Sequence, residues 1–261
     1  MTGRPVAGTD RQLFDRQLFD TVAAAYDTYR PDYPAQLFDA LESAMGQPLL
    51  WSDVCDVGAG TGIAARALAG RGATVTAVEP GLGALRLLRS RSTSRVRAVA
   101  GDGNALPLRD DVFDLVSYAQ SFHWTAPPSS VAEAFRVLKP GGVLAVWWNR
   151  HDLSVSWFAE HQQRLFAACG WAGHDDEEGV ADLLGGPPWR RRVAVVEIPW
   201  SRRITVADFA RNLMTKSYVF GLGAERAAEV VAAEVAELDR AHPSGSLEEP
   251  FSTYAIFARN G

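Results

Sequence analysis

A strand that runs straight into a glycine-rich turn and then a helix limits this chain more than any other feature. The segment is Asp56-Val57-Gly58-Ala59-Gly60-Thr61-Gly62, preceded by the apolar Val54-Cys55 and followed by an Ala/Leu/Arg helix running to about residue 69. Glycines at such a turn let the backbone reverse tightly and let a ligand approach it closely. The helix that follows offers unpaired N–H groups and a partial positive charge at its start. A loop of this kind serves dinucleotides and other nucleosides alike. Three residues weigh against a dinucleotide or define the ligand further. Ile63 stands where a dinucleotide fingerprint takes Gly or Ala. Asp56 precedes the loop, where a carboxylate repels a pyrophosphate and attracts an ammonium or sulfonium group. Glu79 closes the second strand, placed to accept hydrogen bonds from both hydroxyls of a ribose.

The surrounding pattern is α/β from Leu49 onward. Strands are expected at 74–78, 96–100, 113–119 and 143–148, with helices over 82–88 and 129–138 between them. Lys139-Pro140-Gly141-Gly142 should stop the last of these helices. Strands alternating with helical patterns mark βαβ units and a mostly parallel sheet, here of seven strands with helices on both faces. After Asn149 the texture changes. Helices are expected over 154–169, 205–213 and 223–240, an acidic loop over 175–178, a Gly/Pro stretch over 185–188, and strands over 193–200 and 251–258. The two strands should join the sheet edge as an antiparallel pair. The helices between them should cap the carboxyl ends of the central strands, where open α/β sheets bind ligands. The expected division is an N-terminal arm (1–48), a nucleoside-binding core (49–150), a helical cap with an edge strand (151–250) and a final strand (251–261). Arg-Gln-Leu-Phe-Asp occurs twice in tandem, at 11–15 and 16–20. It reads either as a short helix covering an apolar surface or as a repeat with no role.

Composition removes several classes of function. A net charge of −5 suits no extended nucleic-acid surface, which needs concentrated positive charge. The cluster from Arg86 to Arg97 is interrupted by leucines and serines and reads as a solvated helix end. No apolar run approaches the ~18 residues of a membrane span. Nor does the polar N-terminus resemble a signal peptide. With two cysteines only, Cys55 falling in an apolar strand, a reducing, cytoplasmic setting is expected. The five histidines are scattered without ligand spacing, so no metal site is expected.

Taken together, these motifs resemble those of class I S-adenosylmethionine-dependent methyltransferases, in the type 11 methyltransferase-domain group. Asp56 to Gly62, with Gly58, Gly60, Thr61 and Gly62, looks like the family's first motif, and Glu79 like its ribose-binding acid. Gly101-Asp102-Gly103-Asn104-Ala105-Leu106-Pro107 looks like its adenine-binding segment. The resemblance implies that Asp102 accepts from the exocyclic amine, with Gly103 and Asn104 along the ring edge. Leu138 to Gly142 looks like the segment before the fifth strand. The match covers about 50–150. Upstream, the stretch Val22 to Pro34 resembles a subgroup in which this segment folds over the cofactor. That implies Tyr26 and Arg30 at its methionine end, Arg30 pairing with the carboxylate; a surface ion pair is the other reading of Arg30.

The fourth strand leads into Tyr118-Ala119-Gln120-Ser121-Phe122-His123-Trp124, similar to a stretch in the trans-aconitate-type branch. Gln120 is then expected beside the methionine moiety. His123 is the candidate proton acceptor, against the alternative of a structural hydrogen-bonded residue. Phe122, Trp124, Trp148, Arg150 and Tyr218 are candidates for the acceptor pocket. Arg150, Arg202, Arg203 and Lys216 could hold an anionic acceptor, though solvated surface is the plainer account of each. The resemblance implies in-line methyl transfer from S-adenosylmethionine to O, N or C of a small metabolite, leaving S-adenosylhomocysteine. Competing accounts are a carboxylate O-methyltransferase specifically, a nicotinamide-dependent oxidoreductase and a non-catalytic S-adenosylmethionine binder.

Overall fold

The computed structural model describes residues 23–172 and 179–261. The tandem repeat at 11–20 lies outside them. A helix over 23–29 (α1) leads to α2 (Ala35–Met45), and the sheet begins with β1 (Asp53–Val57). Then come α3 (Ile63–Gly70), β2 (Thr74–Glu79), α4 (Leu82–Arg91), β3 (Val96–Ala100) and β4 (Phe113–Ala119). A single 3₁₀ turn (Phe122–Trp124) precedes α5 (Pro127–Val137) and β5 (Leu138–His151). The remainder is α6 (Ser156–Cys169), α7 (Val180–Gly185), β6 (Val193–Thr205), α8 (Val206–Leu213), α9 (Ser217–Phe220), α10 (Ala224–Ala241) and β7 (Ser246–Arg259).

Seven strands form one sheet in the order β3-β2-β1-β4-β5-β7-β6. The first five run parallel, while β7 is antiparallel to both β5 and β6. Strand order reverses between β1 and β4, so the crevice beyond their carboxyl ends is the natural ligand position. Because side chains alternate along a strand, each central strand feeds two cores. Val54, Leu115, Ala145 and Trp147 pack beneath α2 and α3; Cys55, Val116, Val146 and Trp148 pack beneath α5 and α7. Cys55 is fully buried and reduced. A third apolar cluster, built on Phe158, Phe209, Val219 and Val230, joins α6, α8, α9 and α10.

Three expectations of the sequence are corrected. First, β5 starts at Leu138 and passes through the Pro-Gly-Gly segment. Phe113 pairs with Leu138 and Leu115 with Val143, so the extra residues bulge out of the ladder. Asn260 Nδ2 donates to the carbonyls of Leu138 (3.1 Å) and Lys139 (3.3 Å) and holds the bulge. Second, β6 and β7 run past their expected ends, pairing from Val193↔Ala258 to Thr205↔Ser246 as a ribbon that outlasts β5. Third, α7 lies between the expected acidic loop and the Gly/Pro stretch, where no element was expected, and α9 was not expected either. Among the described residues, no helix is long and apolar enough to cross a membrane, and no group of three His, Cys, Asp or Glu is placed to hold a metal.

Candidate active site

The glycine turn is held by its own backbone. Gly58 and Ala59 both donate to the Val78 carbonyl (2.9 and 3.1 Å), and Gly62 donates to Ala59 O at 2.9 Å. Gly58 sits at φ +67, and a Cβ there would lie 2.6 Å from Ser121 Cβ. No L side chain fits that conformation or that space. These amides already have protein acceptors, so the turn presents no open cradle of N–H groups for a pyrophosphate.

Instead it presents carboxylates. Gly60 N–H donates to Glu79 Oε2 (2.9 Å), and Gly81 N–H to Glu79 Oε1 (2.7 Å). Two backbone donors thus fix that carboxylate at the tip of β2, at the strand end where a ribose is expected. Asp56 is fully buried at the end of β1. Its Oδ1 accepts from Ser117 Oγ at 2.7 Å, whereas Oδ2 has no donor at hydrogen-bonding distance and angle among the described residues. Burial, reinforced by the charge of Glu79, pushes its pKa to about 7. A cation arriving beside it would restore the charged form. Thr61 Oγ1 is buried nearby, toward Asp27 of the arm.

The third strand leads to the segment expected to border the adenine. Asp102 Oδ1 accepts from both the backbone and the side-chain nitrogen of Asn104 (2.9 Å each), while Asp102 itself is exposed. Asn104 Oδ1 in turn accepts from Ala126 N at 2.7 Å, tying this loop to the start of α5. Gly103 lies so close to β1 that a Cβ would meet Val57 Cγ1 at 2.8 Å. Gln120 follows β4 at φ +58, its N–H donating to Trp147 O (2.9 Å) and its Nε2 to Asn149 O (3.3 Å). A residue held in that region carries strain, which active sites often retain.

The arm closes over this end through charges that the sequence reading missed. Asp27 accepts from Arg66 Nη2 of α3 at 2.7 Å and from Arg91 Nη1 of α4. Burial works to raise its pKa, yet hydrogen bonds from Thr61, Arg66 and Arg91 hold it below the usual carboxylate range. Arg91 is therefore part of a clamp, not a solvated helix end. The guanidinium of Arg30 lies 4.5 Å over the Tyr26 ring, and its Nε and Nη2 donate to Thr215 Oγ1 (3.0 Å) and Thr215 O (3.1 Å). Neither reading of Arg30 foresaw that bond to the cap. Spacing in the sequence offers no signal for it, since the partners are 185 residues apart.

Several acceptor-pocket candidates fall elsewhere. Phe122 is 2 % exposed and packs edge-on against Tyr118, so it belongs to the core. Trp148 is equally buried, and its Nε1 donates to His123 Nδ1 at 3.4 Å. A neutral imidazole accepting at Nδ1 carries its proton on Nε2 and has no free lone pair to act as a base. Arg150 pairs with Glu197 (2.8 Å) and lies over Tyr254, so its charge is already answered. Trp124 is exposed. Tyr218 stacks on Trp171 and faces a cavity within the cap, lined also by His151, Phe158, Phe209, Lys216 and Glu249.

Comparison with known proteins agrees with this geometry. Residues 55–146 match the methyltransferase-domain family. An uncharacterized methyltransferase of Mycobacterium tuberculosis is 30% identical over 244 residues, covering 92% of this chain and 94% of that one. A malonyl-[acyl-carrier protein] O-methyltransferase of Geobacter sulfurreducens is 38% identical over 136 residues, about half of each chain (50% and 51%). Among solved structures, an Anaeromyxobacter dehalogenans chain assigned to the type II methyltransferases superposes with a TM-score of 0.64 at 25% identity, covering 88% of this chain and 97% of that one.

Proposed function

This chain belongs to the class I S-adenosylmethionine-dependent methyltransferases, and we propose that it methylates a small molecule bound between the cofactor end of the sheet and the helical cap over residues 151–250. The observation that carries the cofactor placement is the fixed pair of acids at the first two strand tips. Glu79 would take the ribose hydroxyls, and half-neutral Asp56 would face the cationic methionine end. Gly103 and Asn104 would border the adenine, with the exposed oxygen of Asp102 toward its amine. Tyr26 and the remaining nitrogen of Arg30 would reach the methionine part, beside Gln120.

When bound, the cofactor supplies an electrophilic methyl on a sulfonium. The chain's task is then to hold an acceptor in line with it and to exclude water. No base is assigned; the bond from Trp148 to His123 Nδ1 supports a structural role for that imidazole. The O-methyltransferase name of the Geobacter relative favours an oxygen acceptor, and the net charge of −5 favours a metabolite over nucleic acid.

Calorimetric titration tests the reading directly. S-adenosylmethionine and S-adenosylhomocysteine should bind, and NAD should not. If neither nucleoside binds at millimolar concentration, or if NAD binds better, the placement is wrong. Radiolabelled methyl transfer across a panel of small hydroxy, amino and carboxylic compounds would then identify the acceptor atom.

A further inference from the structure

The arm over residues 26–33 crosses the tips of β1 and β5. Tyr33 meets Trp147 of β5 edge-on, with 5.8 Å between ring centroids, and the Asp32 carbonyl accepts from Asn149 Nδ2 at 3.0 Å. Burial, with Tyr26 and Asp56 nearby, raises the Tyr33 phenol, so the arm runs within electrostatic reach of the acid at the end of β1. On the proposed placement, the cofactor lies beneath this arm. It can then neither enter nor leave while the arm stays down.

The fastenings of the arm differ in their chemistry. At β5 they are one neutral hydrogen bond and a ring contact. Toward the cap, Arg30 donates to Thr215, but Arg30 is also assigned to the cofactor's carboxylate, so that bond is shared with the ligand. Toward α3 and α4 the fastening is ionic and belongs to the protein alone. The Asp27 side chain is 3 % exposed, with Oδ1 on Arg66 Nη2 at 2.7 Å and Oδ2 on Arg91 Nη1. Arg66 uses its other terminal nitrogen, Nη1, to donate to the Thr61 carbonyl at 2.7 Å. One guanidinium therefore joins the arm to the glycine turn. Charge-assisted bonds of this kind are about twice as strong as neutral ones. The two arginine side chains remain 26 % and 40 % exposed, so water can take over their charge when the arm lifts. Such a fastening is strong when closed and still able to open.

We propose that Asp27 is a positioning residue that latches the arm over the cofactor through Arg66 and Arg91, and that opening of this latch sets how fast S-adenosylmethionine enters and S-adenosylhomocysteine leaves. The proposal rests on the cofactor placement given above, and its test keeps the two apart.

Association and dissociation of S-adenosylhomocysteine are followed by stopped flow on the full chain. Asp27→Asn should raise both rate constants by about tenfold or more and leave Kd within about threefold, because a cover that must open slows entry and exit alike. A residue that only helped to grip the bound nucleoside would speed dissociation and leave association unchanged. Arg91→Gln should act in the same direction by a smaller factor, since Arg66 stays in place. Arg91→Lys should hold both rates within about threefold of wild type, because the charge at that half-exposed position is kept. In the ligand-free protein, amides over 24–30 should exchange about tenfold faster in Asp27→Asn, with those of β1 and β4 unchanged. Wild-type association in Asp27→Asn, or faster exchange throughout the sheet as well as the arm, overturns the latch. Failure of the wild-type protein to bind S-adenosylhomocysteine would instead overturn the cofactor placement.

Discussion

The tips of β1 and β2 and the interior of the cap handle polar groups in opposite ways. At the strand tips, turn amides and the Glu79 carboxylate satisfy one another, and Asp56 Oδ2 has no donor at hydrogen-bonding geometry among the described residues. The site is rigid before any ligand arrives, and glycine spacing fixes its shape. In the cap, the neutral His151 of β5 and Arg202 of β6 engage the buried carboxylate of Glu249 on β7, and Lys216 in the loop before α9 stands beside them. On the proposed placement of the cofactor, the first region is pre-organised for its ligand. The second answers its buried acid with the protein's own groups. Pre-organisation lowers the entropy cost of binding, and an acid left open at one end selects for a cation.

A substitution at the tightest contact tests the rigid side of this contrast most severely. Gly58→Ala places a Cβ 2.6 Å from Ser121 Cβ at a positive φ. Left-handed strain and overpacking together should destabilise the protein by about 2–4 kcal/mol and displace the turn from the cofactor. Thermal unfolding and S-adenosylhomocysteine titration both read it. A variant with wild-type melting temperature and affinity would show that the turn is not rigid, and the contrast would fail.

The difference between the regions also explains what the sequence could reveal. Asp56, the three glycines and Glu79 lie close together in sequence, their roles follow from local backbone geometry, and the structure brings them together. The long β6–β7 ribbon was half hidden because its outer part is ruled by cross-strand charge, Arg202 opposite Glu249 and Arg203 opposite Glu248, not by apolar alternation. The Arg30–Thr215 bond and the Asp27 clamp join distant segments through tertiary packing, which no local pattern encodes. Phe122 and Trp148 looked like pocket aromatics, yet the 3₁₀ turn carries the first, and strand alternation the second, into the α5 side of the core.

Asp56 supplies a smaller effect with a definite sign. Its pKa rises from 3.8 to about 7 on folding, so the folded, ligand-free protein holds that proton more tightly than the unfolded chain. Stability from this group is present at low pH and falls as pH rises from about 4 to 7, by at most about 4 kcal/mol. Asp56→Asn should therefore raise the melting temperature of the ligand-free protein near pH 8, change little near pH 4, and weaken S-adenosylmethionine binding by about tenfold or more. A uniform loss of stability at both pH values would mean that the carboxylate is already well solvated in the fold. The strand tips would then lack the one unsatisfied acid that marks them as waiting for a cation.

The smallest effect is expected at the seam between the two regions, where His123 meets Trp148. If the imidazole serves structure, His123→Ala removes an acceptor from a buried indole N–H and costs about 1–2 kcal/mol of stability. Turnover on an identified acceptor should then stay within about threefold, because the methyl donor is already activated and alignment supplies the rate. A general base behaves differently: its loss lowers kcat by about a hundredfold or more and removes the acidic limb of the pH–rate profile. Measuring kcat against pH for the wild type and His123→Ala, beside their melting curves, separates the two. A collapse of kcat with stability intact would return His123 to the chemistry and put acid–base work at the boundary between the sheet and the cap. Intact turnover with a lowered melting temperature would leave catalysis to the alignment of cofactor and acceptor across that boundary.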